Sequence, residues 1–240
     1  MRLFGVFGEA ARLYVLLWRH SLPAAALALG AVWLAETAFA EIGGGWSLVL
    51  GLVALALSLT APMLVQGMLI ILVEDVHEGR RATDLRTLVR RTLPELPSLV
   101  GASIVYFFGV VFGLVLLIVP GLLALARWSL MAPLIVLERR DIGEARQRSS
   151  GLVSGRTGQV LVVMLVLGVV EYGLPEFVYR RMISSLAYYA VGVVVTPYVA
   201  HVLSALYYRL TDPERPVIAT QRPGSPWDEH ALEDARRAAL

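Results

Sequence analysis

Cysteine is absent from the 240 residues, which excludes disulfides, thiol catalysis and thiolate metal sites. Lysine is absent too, so all 21 basic residues are arginine. Charge is scarce, at 17% of residues. Soluble domains carry about 25%, so most of this surface does not face water. A net charge of +2 is too small to point to a nucleic acid. The familiar catalytic patterns are missing as well. His20, His77, His201 and His230 are scattered, and none has a metal-ligand partner at helical spacing. No phosphate-binding glycine loop, nucleophile elbow or paired carboxylates occur. These absences read as a non-enzymatic protein with no catalytic residue, no metal and no cofactor.

What fills the chain is apolar sequence, 57% of it hydrophobic. Runs near 20 residues match a hydrocarbon core of about 30 Å. Six spans are expected, at about 21–40, 47–73, 98–119, 121–137, 158–172 and 184–206. The fold class is therefore an all-α polytopic membrane protein. Residues 1–210 form one membrane domain, and 211–240, rich in proline, form a flexible cytoplasmic tail whose last helix Asp228 could cap. Ala38-Phe39-Ala40 resembles a signal-peptide cleavage site, but the region before it is too long and aromatic for a leader. Gly43-Gly44-Gly45 reads as a turn with Trp46 at interface depth, and Val119-Pro120-Gly121 as a tight turn that makes spans three and four a hairpin. Gly109-x-x-x-Gly113 is expected to let a neighbouring backbone approach.

Three amphipathic stretches alternate with the hairpins. In 1–20, Arg2, Glu9, Arg12 and Arg19 share one face, which suits an interfacial helix lying among headgroups. In 74–96, Thr83 or Asp84 caps an arc of Leu85, Leu88, Val89, Leu93 and Leu96, opposed by Arg86, Arg90 and Arg91. In 138–157, Ile142, Ala145, Leu152 and Val153 lie on one side and Arg146 and Arg148 on others, with Arg156 following. The N-terminus, these two segments and the tail carry 3, 5, 5 and 5 arginines, while the opposite loops carry 0, 0 and 2. The positive-inside rule then places both termini in the cytoplasm.

Each second helix of a hairpin holds one proline: Pro62, Pro133 and Pro197. Proline leaves the carbonyl four residues earlier without its helix donor, here at Ser58, Ser129 and Val193. Lipid offers no replacement, so helices two, four and six are expected at the centre and one, three and five outside. Arg127 is the one arginine inside an expected span, about nine Å along the axis from Gly121. Gln66 and His201 each follow their proline by four. Arg127, Gln66 and His201 are thus the candidate polar site for a lipid phosphate or another anion. Alternatively, Arg127 snorkels to headgroups while the other two satisfy kinked backbone.

Pro120-Gly121, Arg127-Trp128, Pro133, Val136-Leu137-Glu138, Glu144-Ala145, Arg148-Ser149 and Leu152-Val153-Ser154-Gly155-Arg156 resemble the membrane domain of the glycerophosphoryl diester phosphodiesterase family and related YciC-like proteins. Leu206-Tyr207-Tyr208-Arg209 is similar to that family's closing helix. Two positions depart from it: Thr157-Gly158 stands where an aromatic follows Gly-Arg, and Arg209 where an acid follows the tyrosines. The resemblance implies a prokaryotic plasma-membrane protein. Some members carry a soluble metal-dependent phosphodiesterase barrel after this domain. That barrel has no counterpart in these residues, so the family name implies no activity here. The sequence therefore reads as a membrane-organising or scaffolding protein whose partners are anionic membrane lipids, contacted through Arg86, Arg90, Arg91, Arg146, Arg148 and Arg156. No protein partner is indicated. The alternative is a small transporter or lipid-handling protein built around the intramembrane polar residues.

Overall fold

The computed structural model describes residues 5–41, 47–80, 83–182 and 184–213. The glycine turn at 43–45, Trp46 and the tail from 214 onward, with Asp228, lie outside the described residues. Among those described the protein is all α, with six helical segments long and apolar enough to cross a membrane. It is a polytopic membrane protein.

The first segment differs from its sequence reading. A separate interfacial helix and a span are expected, yet one helix, α1, runs unbroken from Gly5 to Glu41 through Pro23. Its 37 residues reach about 55 Å at 1.5 Å each. Nothing breaks it at Ser21, whose hydroxyl bonds His201 instead of capping a helix. The apolar face of its first half (Val6, Ala10, Leu13 and Leu17) is fully buried in the protein core, not in headgroups.

Helix α2 (Ser47–His77) returns antiparallel to α1. The short amphipathic α3 (Leu85–Thr92) leads through a 3-10 turn at Leu93–Glu95 into α4 (Leu96–Leu116). The next turn is tighter than Val119-Pro120-Gly121 implies. Leu117 alone is extended (φ −157°, ψ 132°), and α5 (Ile118–Arg127) takes up Pro120 in its first turn, where a missing N–H costs nothing. The glycines close this hairpin. A Cβ on Gly113 would sit 2.7 Å from the Gly121 Cα, and one on Gly109 would strike the Trp128 ring. Apolar burial drives nothing between lipid-facing helices, so such backbone contact is what the pair has to offer.

Four residues before Pro133 the fourth span breaks. Helix α5 ends at Arg127 and α6 (Met131–Glu138) begins after a three-residue turn. A left-handed Arg139 (φ 50°) ends α6. Helix α7 (Ile142–Val153) then packs back against α5 and α6, with Asp141 capping it through the Glu144 N–H at 2.8 Å. The fifth span does not stop near 172. Helix α8 (Thr157–Gly168) passes through a π-turn at Val169–Gly173 into α9 (Leu174–Met182), so of the two forms open to 173–183, an external loop or a short surface helix, the helix is found, continuous with the span. Helix α10 (Ser185–Thr211) closes the bundle antiparallel to α1, as Glu9–Arg209, Ser21–His201 and Trp33–Ser185 pairs show.

The expected centre is partly observed. The fourth and sixth segments are about half buried, whereas α2 is buried mainly in its second half, from Val65 to Val76, with Ala54 and Ala61 the buried positions before it. The reason is a division of the molecule into two layers. At one end, where α1 begins and α2, α6 and α10 finish, side chains such as Leu69, Ile70, Leu72, Leu130, Leu134 and Leu206 form a closed core under a jacket of α3 and α7. At the other end the helices show an apolar belt to lipid, including Leu48 to Leu59 on α2 and Ile104 to Leu116 on α4.

Candidate functional site

Polar groups gather at the jacketed end. The last turns of α2 carry Glu74 and Asp75. Asp75 is 1% exposed and accepts from Arg80 Nε at 3.1 Å, Arg91 Nη1 at 3.3 Å and the Thr83 hydroxyl at 2.5 Å. Glu74 pairs with the same two arginines, at 3.4 and 3.2 Å, and Arg80 also reaches Glu78. A buried carboxylate is tolerable only when so compensated. Of the two residues able to cap α3, Asp84 does so, accepting from the Thr87 N–H at 3.2 Å. Hydrogen bonding from Thr87, side chain first and backbone second, holds the Asp84 carboxyl below its ordinary value. Thr83 is thereby free to serve Asp75.

A second network ties the remaining helix ends. Glu138 accepts from Arg140 Nε at 2.6 Å and the Tyr207 hydroxyl at 3.1 Å, with Arg148 Nε at 3.8 Å. Arg209 Nε meets the buried Glu9 at 2.7 Å. The acid that compensates position 209 comes from α1. His77 stacks on Tyr208 with ring centroids 4.1 Å apart. Glu9 and Glu138 thus join α1, α6, α7 and α10, Asp75 joins α3 to α2, and the His77–Tyr208 stack links the two sets.

The three residues of the candidate anion site are not brought together. His201 is fully buried between α10 and α1, its Nε2 3.2 Å from the Ser21 hydroxyl and its ring edge-on to Tyr14. Gln66 is half-buried on α2. Arg127 is exposed on α5, whose neighbours are α4, α7 and α8, and no hydrogen bond or ion pair joins the three among the described residues. Nor does Arg127 sit in the middle of the belt. Exposed large hydrophobics end at Leu123 on α5 and begin at Ile104 on the facing α4. Beside Arg127, Trp128 carries the Arg146 guanidinium 5.4 Å above its ring. Arg127 therefore stands at the belt's edge, level with the arginines of α7.

Ser149 is what sequence reasoning missed in this region. It is fully buried, donates to the Arg127 carbonyl at 2.6 Å and accepts from the Leu130 N–H at 3.2 Å. Both groups lose their helical partners where α5 breaks into α6. The Ser129 hydroxyl covers a third loose end, the Ala126 carbonyl, at 2.8 Å. A signal existed: Ala145, Ser149 and Val153 fall at i, i+4 and i+8 of α7, placing a serine on its apolar stripe. Near Pro197 the Tyr14 hydroxyl donates to the Val194 carbonyl at 3.1 Å, one residue from the position expected to be freed. Farther out, Glu36 bridges three helices, accepting from Ser58 at 3.0 Å and Tyr189 at 2.5 Å.

The arginines assigned to lipid divide in two. Arg91 and Arg148 are engaged by Glu74, Asp75 and Glu138. Arg86 and Arg90 are exposed on α3 with no acidic partner among the described residues, Arg146 is held by Trp128, and Arg156 is half-buried at the start of α8. Among the described residues, no group of three His, Asp or Glu side chains is placed to hold a metal ion. No protein-family model, curated protein or solved structure matches this chain.

Proposed function

We propose that this multi-pass protein is a non-enzymatic scaffold of a prokaryotic plasma membrane, with both termini cytoplasmic and its arginine-rich jacket set against anionic lipid headgroups. The observation that carries this reading is the contrast between a filled centre and an outer surface bearing uncompensated arginines. Leu130, Leu134 and Ile135 occupy the bundle axis, while Arg12, Arg86, Arg90 and Arg139 are exposed without an acidic partner among the described residues. Two furrows lie on the outside, at Leu114–Pro120 and between α1 and α10. That favours a scaffold over a transporter, which would need a passage reaching Arg127. The resemblance to the membrane domain of the phosphodiesterase family is in line with the same reading, since in the members that carry a phosphodiesterase barrel that barrel follows this domain.

Each surface arginine contributes about 1 kcal/mol of attraction to an anionic leaflet. The test is reconstitution in nanodiscs mixing phosphatidylcholine with phosphatidylglycerol, followed by measurement of the lipid shell retained on extraction. Enrichment of phosphatidylglycerol is expected, falling in an Arg86→Gln/Arg90→Gln/Arg139→Gln variant. A shell of bulk composition would overturn the proposal.

A further inference from the structure

Helices α1 and α10 pair along most of their length, yet leave an apolar furrow on the lipid side, walled by Leu22, Pro23, Ala26, Val193 and Val194. It exists because Pro23 and Ala26 of α1 reach little way into it, while Val193 and Val194 are too short to fill the gap. Trp18 and Arg19 line its other end, with Trp18 47% exposed and the Arg19 guanidinium 5.6 Å over that indole. Arg19 is exposed, and Arg12, seven residues earlier, lies on the same face of α1. Neither has an acidic partner among the described residues.

The furrow therefore changes character along its length. Toward the centre of the belt it is purely apolar. At the end where the jacketed core begins it presents a cation resting on an indole, the pairing that interfaces favour. We propose that this furrow is a specific site for one anionic phospholipid, with its phosphate on Arg19, supported by Arg12, and an acyl chain laid against Pro23, Ala26 and Val194. Charge complementarity selects the headgroup, and the apolar walls continuous with it demand a chain, which a soluble anion lacks. The assignment rests on the reading that the arginine-rich end meets headgroups, but it concerns one bound molecule rather than a general enrichment.

Native mass spectrometry of the protein released from mixed phosphatidylglycerol and phosphatidylcholine micelles tests it. Wild type is expected to retain one phosphatidylglycerol through detergent exchange, and excess inorganic phosphate to leave it in place. Arg19→Gln should weaken retention about fivefold, the worth of one arginine at an anionic surface. Ala26→Phe, which fills the furrow and keeps every charge, should remove the same lipid and carries the test if Arg19→Gln does not fold. Arg86→Gln/Arg90→Gln should keep the retained lipid while losing bulk enrichment. Equal retention in wild type, Arg19→Gln and Ala26→Phe, or release by phosphate alone, overturns the site. Loss of bulk enrichment by the Arg86/Arg90 variant would still leave the general reading standing in that event.

Discussion

Replacing Ser149 by alanine is the sharpest probe of how the fourth span is held together. The side chain is fully buried and one oxygen serves two backbone groups, the Arg127 carbonyl at 2.6 Å and the Leu130 N–H at 3.2 Å. Alanine fits the space but leaves both groups unmet away from water. A stranded buried donor or acceptor costs about 1–3 kcal/mol, so the pair predicts a loss of about 2–6 kcal/mol. An ordinary hydrogen bond between membrane helices contributes about 0.6 kcal/mol, because the unfolded chain in the membrane finds other partners. The two accounts therefore differ severalfold. Reversible unfolding in mixed micelles, read by tryptophan fluorescence from Trp128 beside the break, measures the difference. Ser150→Ala is the control, since Ser150 bonds only the Arg146 carbonyl of its own helix. It should stay within about 0.5 kcal/mol of wild type. A Ser149→Ala loss of about 0.6 kcal/mol or less would refute the view that this serine closes the helix break.

Other outcomes follow from the packing. Gly113→Ala forces a methyl group to within 2.7 Å of the Gly121 backbone and should destabilise the hairpin by about 1–3 kcal/mol, whereas Gly168→Ala, with no atom within 4 Å, should be neutral in the same unfolding assay. Asp75→Asn strips the common partner from Arg80, Arg91 and Thr83. Because those arginines are 46% and 38% exposed, the loss is discounted for screening to about 1–3 kcal/mol, and Glu78→Gln should change little. The absence of cysteine allows a single spin label at Arg90→Cys to report the docking of α3. The Asp84 carboxyl is held below its ordinary value of 3.8 by Thr87, so its contribution is fully present above that pH and is lost as pH falls through the folded-state value. The label should accordingly loosen only below pH 3.8, and Asp84→Ala should loosen it at neutral pH.

Six helices could be read from the sequence because apolar runs of membrane length have no other stable use. The alternation of arginine-rich and arginine-poor connections requires an even number of spans and agrees with six. Finer features depended on what each residue meets. Pro133 announced a disturbance near Ser129, but only α7, arriving with Ser149, decided that the helix would break outright and not merely bend. Pro175, Glu176, Arg180 and Arg181 read as an external loop or a short surface helix. The helix forms, joined to α8 through the π-turn, and Glu176 pairs with Arg180 at 2.7 Å to support it. Arg127 was the least legible. An arginine amid leucines looks the same in sequence whether it faces a central cavity or the rim of the belt, and α3 and α7 set that rim deeper than span length suggests. The pairings of Glu9 with Arg209 and of Asp75 with Arg91 were hidden for a related reason, since they span 200 and 16 residues.

The belt is short around the bundle. Exposed hydrophobics on α2 run from Leu48 to Leu59, about 17 Å of helix, and on α4 from Ile104 to Leu116, about 18 Å. On α1, beyond Arg19, they run from Leu27 to Phe39, again about 18 Å. A hydrocarbon core of about 30 Å is deeper than any of these runs. Lipid meets such a body by thinning beside it, at a fraction of a kcal/mol per Å of mismatch. Two copies sharing one thinned annulus would distort less membrane than two apart, so a short belt supplies a force for clustering and for residence where the bilayer is already thin.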